Sequence, residues 1–126
     1  MHAVDTNVLV RLVTRDDEKQ ALAAEAFVAK GVWVSHLVLA ETAWVLSNTY
    51  DLEHAEVATA IDMLLTNGKV AMQDPDVVVN ALDHYRRRPK VGFSDCLVLE
   101  IAKKAGHLPL GTFDRDLSKF EGTERL

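Results

Sequence analysis

The stretch VWVSHLVLAETAWVL, residues 32–46, places a short run of β-branched and aromatic residues directly before a long apolar segment. The run VWVS is typical of a strand, and residues 36–46 have the composition and spacing of a helix. The same order of strand and helix is repeated on both sides of this stretch, and no tight hairpin signal lies between two strand candidates. This alternation predicts an α/β domain with a mostly parallel sheet covered by helices.

The alternation predicts five strands and six helices. The strands are predicted within residues 2–4, 32–35, 69–73, 108–113 and 123–126. The helices are predicted within residues 7–13, 16–31, 36–50, 53–68, 74–89 and 94–106. Asp74 before Pro75 predicts one capped helix start, and Ser94 predicts another. Ligand sites of parallel α/β sheets lie at the carboxyl ends of the strands, so functional residues are expected at that edge.

Length and composition are those of one globular domain, residues 1–126, with 48% hydrophobic and 26% charged residues. Cys96 is the single cysteine, so no intramolecular disulfide can form, which fits a reducing, cytoplasmic location. We expect no signal peptide and no membrane span, because no apolar stretch has the required length. The net charge of −5 by itself disfavours nucleic acid as a partner, but the positions of the charges matter more than their sum.

Most of the 19 acidic residues have a local explanation. Several lie at predicted helix N-termini, where the helix dipole favours a negative charge. Glu100 precedes Lys104 by four residues, the spacing of a surface ion pair on a helix. Asp83 has Arg86 and Arg87 one turn further along its helix. Such acids need no functional role.

Five acids are left as candidates for a site: Asp5, Glu41, Asp95, Asp114 and Asp116. Asp5 and Asp114 follow predicted strands, and Asp95 starts a helix that faces the same edge of the sheet. Glu41 lies among apolar residues of its helix and is expected to point inward, where an unpartnered carboxylate would cost several kcal/mol. Taken singly, each acid is explained by a cap, a turn or a satisfied core position.

Taken together, Asp5, Glu41, Asp95 and Asp114 are expected to converge on one cleft. Four carboxylates would repel one another there without cations, whereas hard oxygen ligands suit Mg²⁺ or Mn²⁺. Asp116 is a further candidate ligand. The five histidines are scattered and do not form a zinc pattern with the one cysteine.

Four segments resemble the PIN-domain ribonucleases, and more specifically VapC-type toxins of bacterial toxin–antitoxin pairs. VDTNVLVRL, LAETAWVL, GFSDCLVLEIAKKAG and LGTFDRDL carry the acids Asp5, Glu41, Asp95 and Asp114 in the family's order. Together they span nearly the whole chain. Cys96 stands where the family often has alanine.

The resemblance implies a three-layer α/β/α sandwich that cleaves RNA as an endoribonuclease with Mg²⁺ or Mn²⁺. It implies that Asp5 and Asp95 hold the metal, helped directly or through water by Glu41 and Asp114, and that Glu41 orients the attacking water. It also implies a homodimer and a cognate antitoxin, which together would form a toxin–antitoxin hetero-oligomer.

Polar, cationic and aromatic residues near the acids are candidates for supporting roles. Hydrogen bonds to the acids are expected from Thr6, Asn7, Ser94 and Thr112, although local capping explains them equally well. The cations that could contact RNA are Arg11, Arg15, Arg86, Arg87, Arg88 and Lys90. Four of them, from Arg86 to Lys90, are equally explained as cations at a helix C-terminus. Tyr85 or Phe93 could stack on a base, but each is more often a core residue.

Three other functions remain open at this point. A receiver-type phosphoacceptor domain has similar size and an acidic pocket, but it usually has adjacent acids after its first strand and a lysine after its last core strand. A phosphatase is disfavoured because Asn7, and not an aspartate, follows Asp5 by two positions. A catalytically inert PIN fold that only binds RNA or acts as a scaffold would usually have lost one or two of the acids.

Overall fold

The computed structural model describes all residues, 1–126, and has the alternating order that the sequence predicts. The strands are β1 His2–Ala3, β2 Val32–Val34, β3 Val70–Met72, β4 Leu110–Thr112 and β5 Thr123–Arg125. The helices are α1 Thr6–Thr14, α2 Glu18–Val28, α3 His36–Asn48, α4 His54–Thr66, α5 Pro75–Arg87 and α6 Phe93–Ala105. A single turn of 3-10 helix spans Leu117–Lys119.

All strand pairs are parallel, which confirms the predicted α/β class. One sheet has the order β1–β2–β3, with Val32 opposite His2 on one side and Val70 on the other. The second sheet pairs β4 with β5, with Leu110 opposite Thr123. Helices connect the strands of the first sheet, as parallel pairing requires. The strands are shorter than predicted because only two or three residues of each form ladder hydrogen bonds.

The hydrophobic core lies between the first sheet and the helices. In β2 the side chains of Val32 and Val34 are fully buried, whereas Trp33 points to the opposite face and is 39% exposed. Leu9 of α1, Leu39 of α3 and Ile61 of α4 pack into the same apolar cluster. No helix combines the length and the apolar character needed to cross a lipid bilayer.

Helices α2 and α3 each begin directly after a polar residue whose side chain caps the helix. The Asp17 side chain accepts a hydrogen bond from the Gln20 backbone at 3.0 Å, and Ser35 caps α3 through the Val38 backbone at 3.1 Å. The prediction that Ser94 caps α6 is wrong. The helix begins one residue earlier, at Phe93, because the carbonyl of Gly92 already accepts the backbone N–H groups of Asp95 and Cys96.

The predicted start of α5, with Asp74 before Pro75, is confirmed, but the side chains of Asp74 and Glu100 have partners other than those predicted. Asp74 stands at the N-cap of α5 but makes no capping hydrogen bond, and its carboxylate pairs with Lys104 of α6 at 3.4 Å. Glu100 does not pair with Lys104. It faces α5, is 4% exposed and binds His84 Nε2 at 3.2 Å, while Lys104 binds Asp76 at 2.9 Å.

Candidate active site

Asp5 stands where the chain leaves β1 and enters α1. Its Oδ1 accepts a hydrogen bond from the backbone N–H of Val8 at 3.3 Å, so it caps α1. The cap engages Oδ1 alone, and the residue is exposed. Asp5 can therefore serve as a cap and still offer an oxygen to a ligand at this edge of the sheet.

Glu41 of α3 does not point inward, which corrects the expectation from its apolar neighbours. Glu41 is exposed, and so are the residues one turn away on the same face, Leu37 at 69% and Trp44 at 61%. The buried side of α3 is formed by Leu39, Ala43 and Leu46 instead. The apolar composition misled the assignment because α3 has apolar residues on both faces.

Glu41 is linked to the start of α1 through a neighbour of Asp5. The Thr6 hydroxyl donates to Glu41 Oε2 at 3.4 Å. This long hydrogen bond confirms the supporting contact predicted for Thr6, and it places the acid of α3 beside the residue that follows Asp5.

Asp95, in the first turn of α6, lies within the electrostatic influence of Asp114, which follows β4. Burial raises the pKa of Asp95 above its ordinary value, and the negative charge of Asp114 raises it further. Asp114 is held in place by its own loop, since its Oδ1 accepts the backbone N–H groups of Asp116 at 2.8 Å and Leu117 at 2.9 Å. Its own backbone N–H donates to Thr112 Oγ1 at 3.0 Å.

A groove lies between α3 and the start of α6, and its lining includes the residues that precede Glu41 and Asp95 in the sequence. The groove has a volume of about 90 Å³, and its lining includes Ala40 and Ser94. Glu41 directly follows Ala40, and Asp95 directly follows Ser94. Neither acid lines the groove itself, because adjacent residues of a helix point about 100° apart.

The four acids fit a divalent cation in chemistry and charge. Carboxylate oxygens are the ligands that Mg²⁺ and Mn²⁺ prefer, and a cation would relieve the repulsion between Asp95 and Asp114. As the side chains lie, no three His, Cys, Asp or Glu residues are close enough together to bind one ion. Joint binding of a metal would therefore require the acidic side chains to move closer.

Asp116, the fifth candidate, has a cationic partner. Its Oδ1 lies 3.6 Å from Lys119 Nζ, at the start of the 3-10 helix. Its backbone N–H, and not its side chain, is the group that contacts Asp114. The structure thus pairs the Asp116 carboxylate with Lys119 in place of the other acids.

The aromatic residues near the site differ from those that the sequence singled out. Tyr85 and Phe93 are core residues, 6% and 3% exposed, so their rings offer almost no surface on which a base could stack. Trp44 lines the groove between α3 and α6 and is exposed. Its position three residues after Glu41 was the available signal, since residues three apart share a helix face.

Two of the cations proposed to contact RNA have other partners. Arg11 donates to Gln20 at 2.6 Å and to the Tyr50 hydroxyl at 3.0 Å. Arg15 pairs with Glu25 at 3.1 Å. Both arginines therefore tie neighbouring elements to α1.

Comparisons with known proteins were made for sequence and for structure. No curated protein matches the chain significantly. Among solved structures, the chain is similar to the VapC20 toxin of Mycobacterium tuberculosis, which is described as cleaving the sarcin–ricin loop. The two sequences are 21% identical, and the TM-score is 0.44. The match covers 94% of this chain and 93% of that chain. The model of the family described as "PIN domain" matches residues 3–122. Because that match spans nearly the whole sequence, the chain belongs to the PIN domain family.

Proposed function

We propose that the protein is a Mg²⁺- or Mn²⁺-dependent endoribonuclease that acts as the toxin of a toxin–antitoxin pair in the cytoplasm. The observation that carries this proposal is Asp95, a half-buried carboxylate at the start of α6 that experiences the negative charge of the exposed Asp114 within a PIN domain. Carboxylates held together against their repulsion are typical of metal-dependent phosphodiester hydrolysis. PIN membership excludes the receiver and phosphatase alternatives.

The acids have distinct roles in this proposal. Asp5 and Asp95 would hold the metal, and Asp114 would assist because its loop already fixes one oxygen through two backbone N–H groups. A divalent cation supplies positive charge beside the scissile phosphate when it is bound. Glu41, exposed and linked to Thr6, would accept a hydrogen bond from the attacking water and orient it.

The direct test of the catalytic proposal is the variant Asp95→Asn. We expect it to abolish Mg²⁺-dependent cleavage of RNA, measured on a labelled RNA, because an amide is a much poorer metal ligand than a carboxylate. Asp51→Asn is the matched control, since Asp51 is exposed beyond the end of α3 and its φ of 53° is one that asparagine tolerates. Cleavage by Asp95→Asn at the wild-type rate would refute the metal assignment.

Growth assays distinguish a toxin from an inert PIN fold that acts as a scaffold. Expression of the wild-type chain should arrest growth, and the change Asp5→Ala should relieve the arrest at equal protein level. Equal toxicity of both chains would favour a role that does not depend on the acids.

The proposal includes protein partners, namely an antitoxin and a second copy of the chain. Apolar surface that remains exposed in the monomer supports such contacts. A groove of about 710 Å³ between α1 and α4 is lined by Leu12, Leu52 and Met63, and Met63 is 66% exposed. Sedimentation of the isolated chain tests dimer formation, and co-purification with the product of a neighbouring gene tests the antitoxin.

A further inference from the structure

A basic pocket lies between the α5–α6 connection and the 3-10 helix. We define the basic pocket by its charged lining residues, Arg87, Arg88, Lys90, Asp116 and Lys119. It has a volume of about 270 Å³, and it gathers four cations around one acid in a chain whose net charge is −5.

Two cations of the basic pocket have no acidic partner. Arg87 pairs with Asp83 at 3.2 Å, and Lys119 pairs with Asp116 at 3.6 Å. Neither Arg88 nor Lys90 takes part in any ion pair, and the Arg88 guanidinium lies 5.8 Å from the centre of the Phe120 ring. The positive charge of these two side chains is therefore available to an external anion.

The C-terminus of α5 does not by itself explain why cations cluster in the basic pocket. Arg86, which the sequence grouped with these cations, turns away and pairs with Asp62 of α4 at 3.6 Å. Lys90 lies beyond the end of α5, and Lys119 comes from a distant part of the chain. Only the tertiary fold brings Lys119 to Arg88 and Lys90, so the cluster is more than a set of dipole-neutralising residues.

The basic pocket adjoins the acids of the candidate active site. Asp116, which lines the pocket, donates its backbone N–H to Asp114 Oδ1 at 2.8 Å. On the other side, Val91 of the pocket lining leads directly to Gly92 at the start of α6, the helix that carries Asp95. A strand of nucleic acid in the pocket would therefore pass the acids within a few nucleotides.

We infer that the basic pocket binds a backbone phosphate of single-stranded RNA next to the bond that is cleaved, an inference that rests on the ribonuclease function proposed above. Arginine and lysine contacts to phosphate position a nucleic acid without reading its sequence. The planar guanidinium of Arg88 can bind two phosphate oxygens at once, and Lys90 adds a point charge. Such a site would offset the repulsion between RNA and the acidic surface.

Binding of RNA to a double variant tests the basic pocket. The Asp95→Asn chain serves as parent, so that a fluorescent single-stranded oligouridylate stays intact during anisotropy measurements. Adding Arg88→Gln and Lys90→Gln should weaken RNA binding about tenfold. The plot of log affinity against log salt concentration should also become less steep, by about 0.7 for each phosphate that is no longer bound. The charge-preserving pair Arg88→Lys and Lys90→Arg should keep the parent's slope.

The matched control variant removes two lysines that lie near the amino ends of β2 and β3, away from the carboxyl ends of the strands. Lys69 directly precedes β3, and Lys30 is separated from the start of β2 by Gly31 alone. The pair Lys30→Gln and Lys69→Gln changes the net charge by the same amount as the test variant. This control should retain the parent's affinity and salt slope. Equal weakening in both double variants, or no weakening in either, would overturn the assignment of a phosphate to the basic pocket.

Cleavage kinetics separate this inference from the proposed function. In the chain with intact acids, Arg88→Gln with Lys90→Gln should raise KM for RNA about tenfold with little change in kcat, because the contact lies away from the reacting bond. If the wild type cleaves RNA and the double variant has the same KM, the basic pocket assignment alone fails. If the wild type binds RNA without cleaving it, the nuclease proposal fails and the binding data still decide on the pocket.

Discussion

Protonation of Asp95 should affect the stability of the fold. Its pKa is raised in the folded chain by burial and by the charge of Asp114, so the folded state favours the protonated carboxyl. A raised pKa gives stability that is fully present below the ordinary value of 3.8 and is lost as the pH rises through the folded value. At neutral pH without metal, the Asp95 charge therefore destabilises the fold.

We predict that Asp95→Asn raises the Tm of the metal-free protein by a few degrees at neutral pH. The gain should disappear below pH 3.8, where Asp95 is protonated in both states. Thermal unfolding followed by circular dichroism over a pH series measures the difference. A lower Tm of the variant at neutral pH would show that the Asp95 carboxylate has a stabilising partner.

Cys96, which follows Asp95, is predicted to be chemically inert in the native protein. Burial raises the pKa of its thiol from 9.0 to about 12, with the charges of Asp95 and Glu100 adding to the shift. The thiolate is the reactive form, so almost none is present at neutral pH. Iodoacetamide should modify Cys96 only after unfolding, as measured by mass spectrometry. Rapid modification of the folded chain would contradict this burial.

At the scale of elements, α5 and α6 are joined by a polar contact inside their apolar interface. Glu100 of α6 is 4% exposed and has His84 of α5 as its hydrogen-bond partner, while the His84 ring also lies 4.8 Å from the Phe120 ring. A buried carboxylate is expensive to leave without a partner. The contact therefore fixes how α6, and Asp95 at its start, is set against α5.

We predict that His84→Ala lowers the free energy of unfolding by roughly 1–3 kcal/mol, because it leaves Glu100 buried without a partner. Urea unfolding measures the decrease. His107→Ala is the control, since His107 is an exposed residue outside the helices. Glu100→Gln, which keeps a hydrogen-bond acceptor and removes the charge, should cost less than His84→Ala. Unchanged stability of His84→Ala would mean that water replaces the imidazole.

Sequence patterns predicted the elements better than their contacts. Helices and strands were predictable because they depend on residues that are close together in the sequence. The side-chain caps predicted at Asp74 and Ser94 are absent. The exposure of Glu41 and the contact between Glu100 and His84 could not be predicted, because helical periodicity does not show which face of a helix packs against another element. The start of α6 at Phe93 was missed because the carbonyl of Gly92, and not a polar side chain, accepts the first backbone N–H groups of the helix.

At the scale of the whole molecule, the four acids Asp5, Glu41, Asp95 and Asp114 should respond together to divalent cations. We predict that Mg²⁺ or Mn²⁺ raises the Tm of the wild-type chain. An ion that binds only the folded state stabilises it by about 2.7 kcal/mol at a concentration of 100 times Kd. Differential scanning fluorimetry against NaCl of equal ionic strength measures the gain. Asp95→Asn should show a much smaller gain, and equal gains would place cation binding elsewhere.

By itself, the sequence determined the α/β alternation, the parallel pairing and the four motifs of the PIN domain family, because these depend on local propensity and on residue order. Only the tertiary structure decided that Glu41 is exposed and that the charge of Asp114 raises the pKa of Asp95. It also decided that Arg86 pairs with Asp62, whereas Lys119 lines the basic pocket. The physical reason is that burial and charge pairing depend on distances between residues far apart in the chain, and those distances are set by how the helices pack.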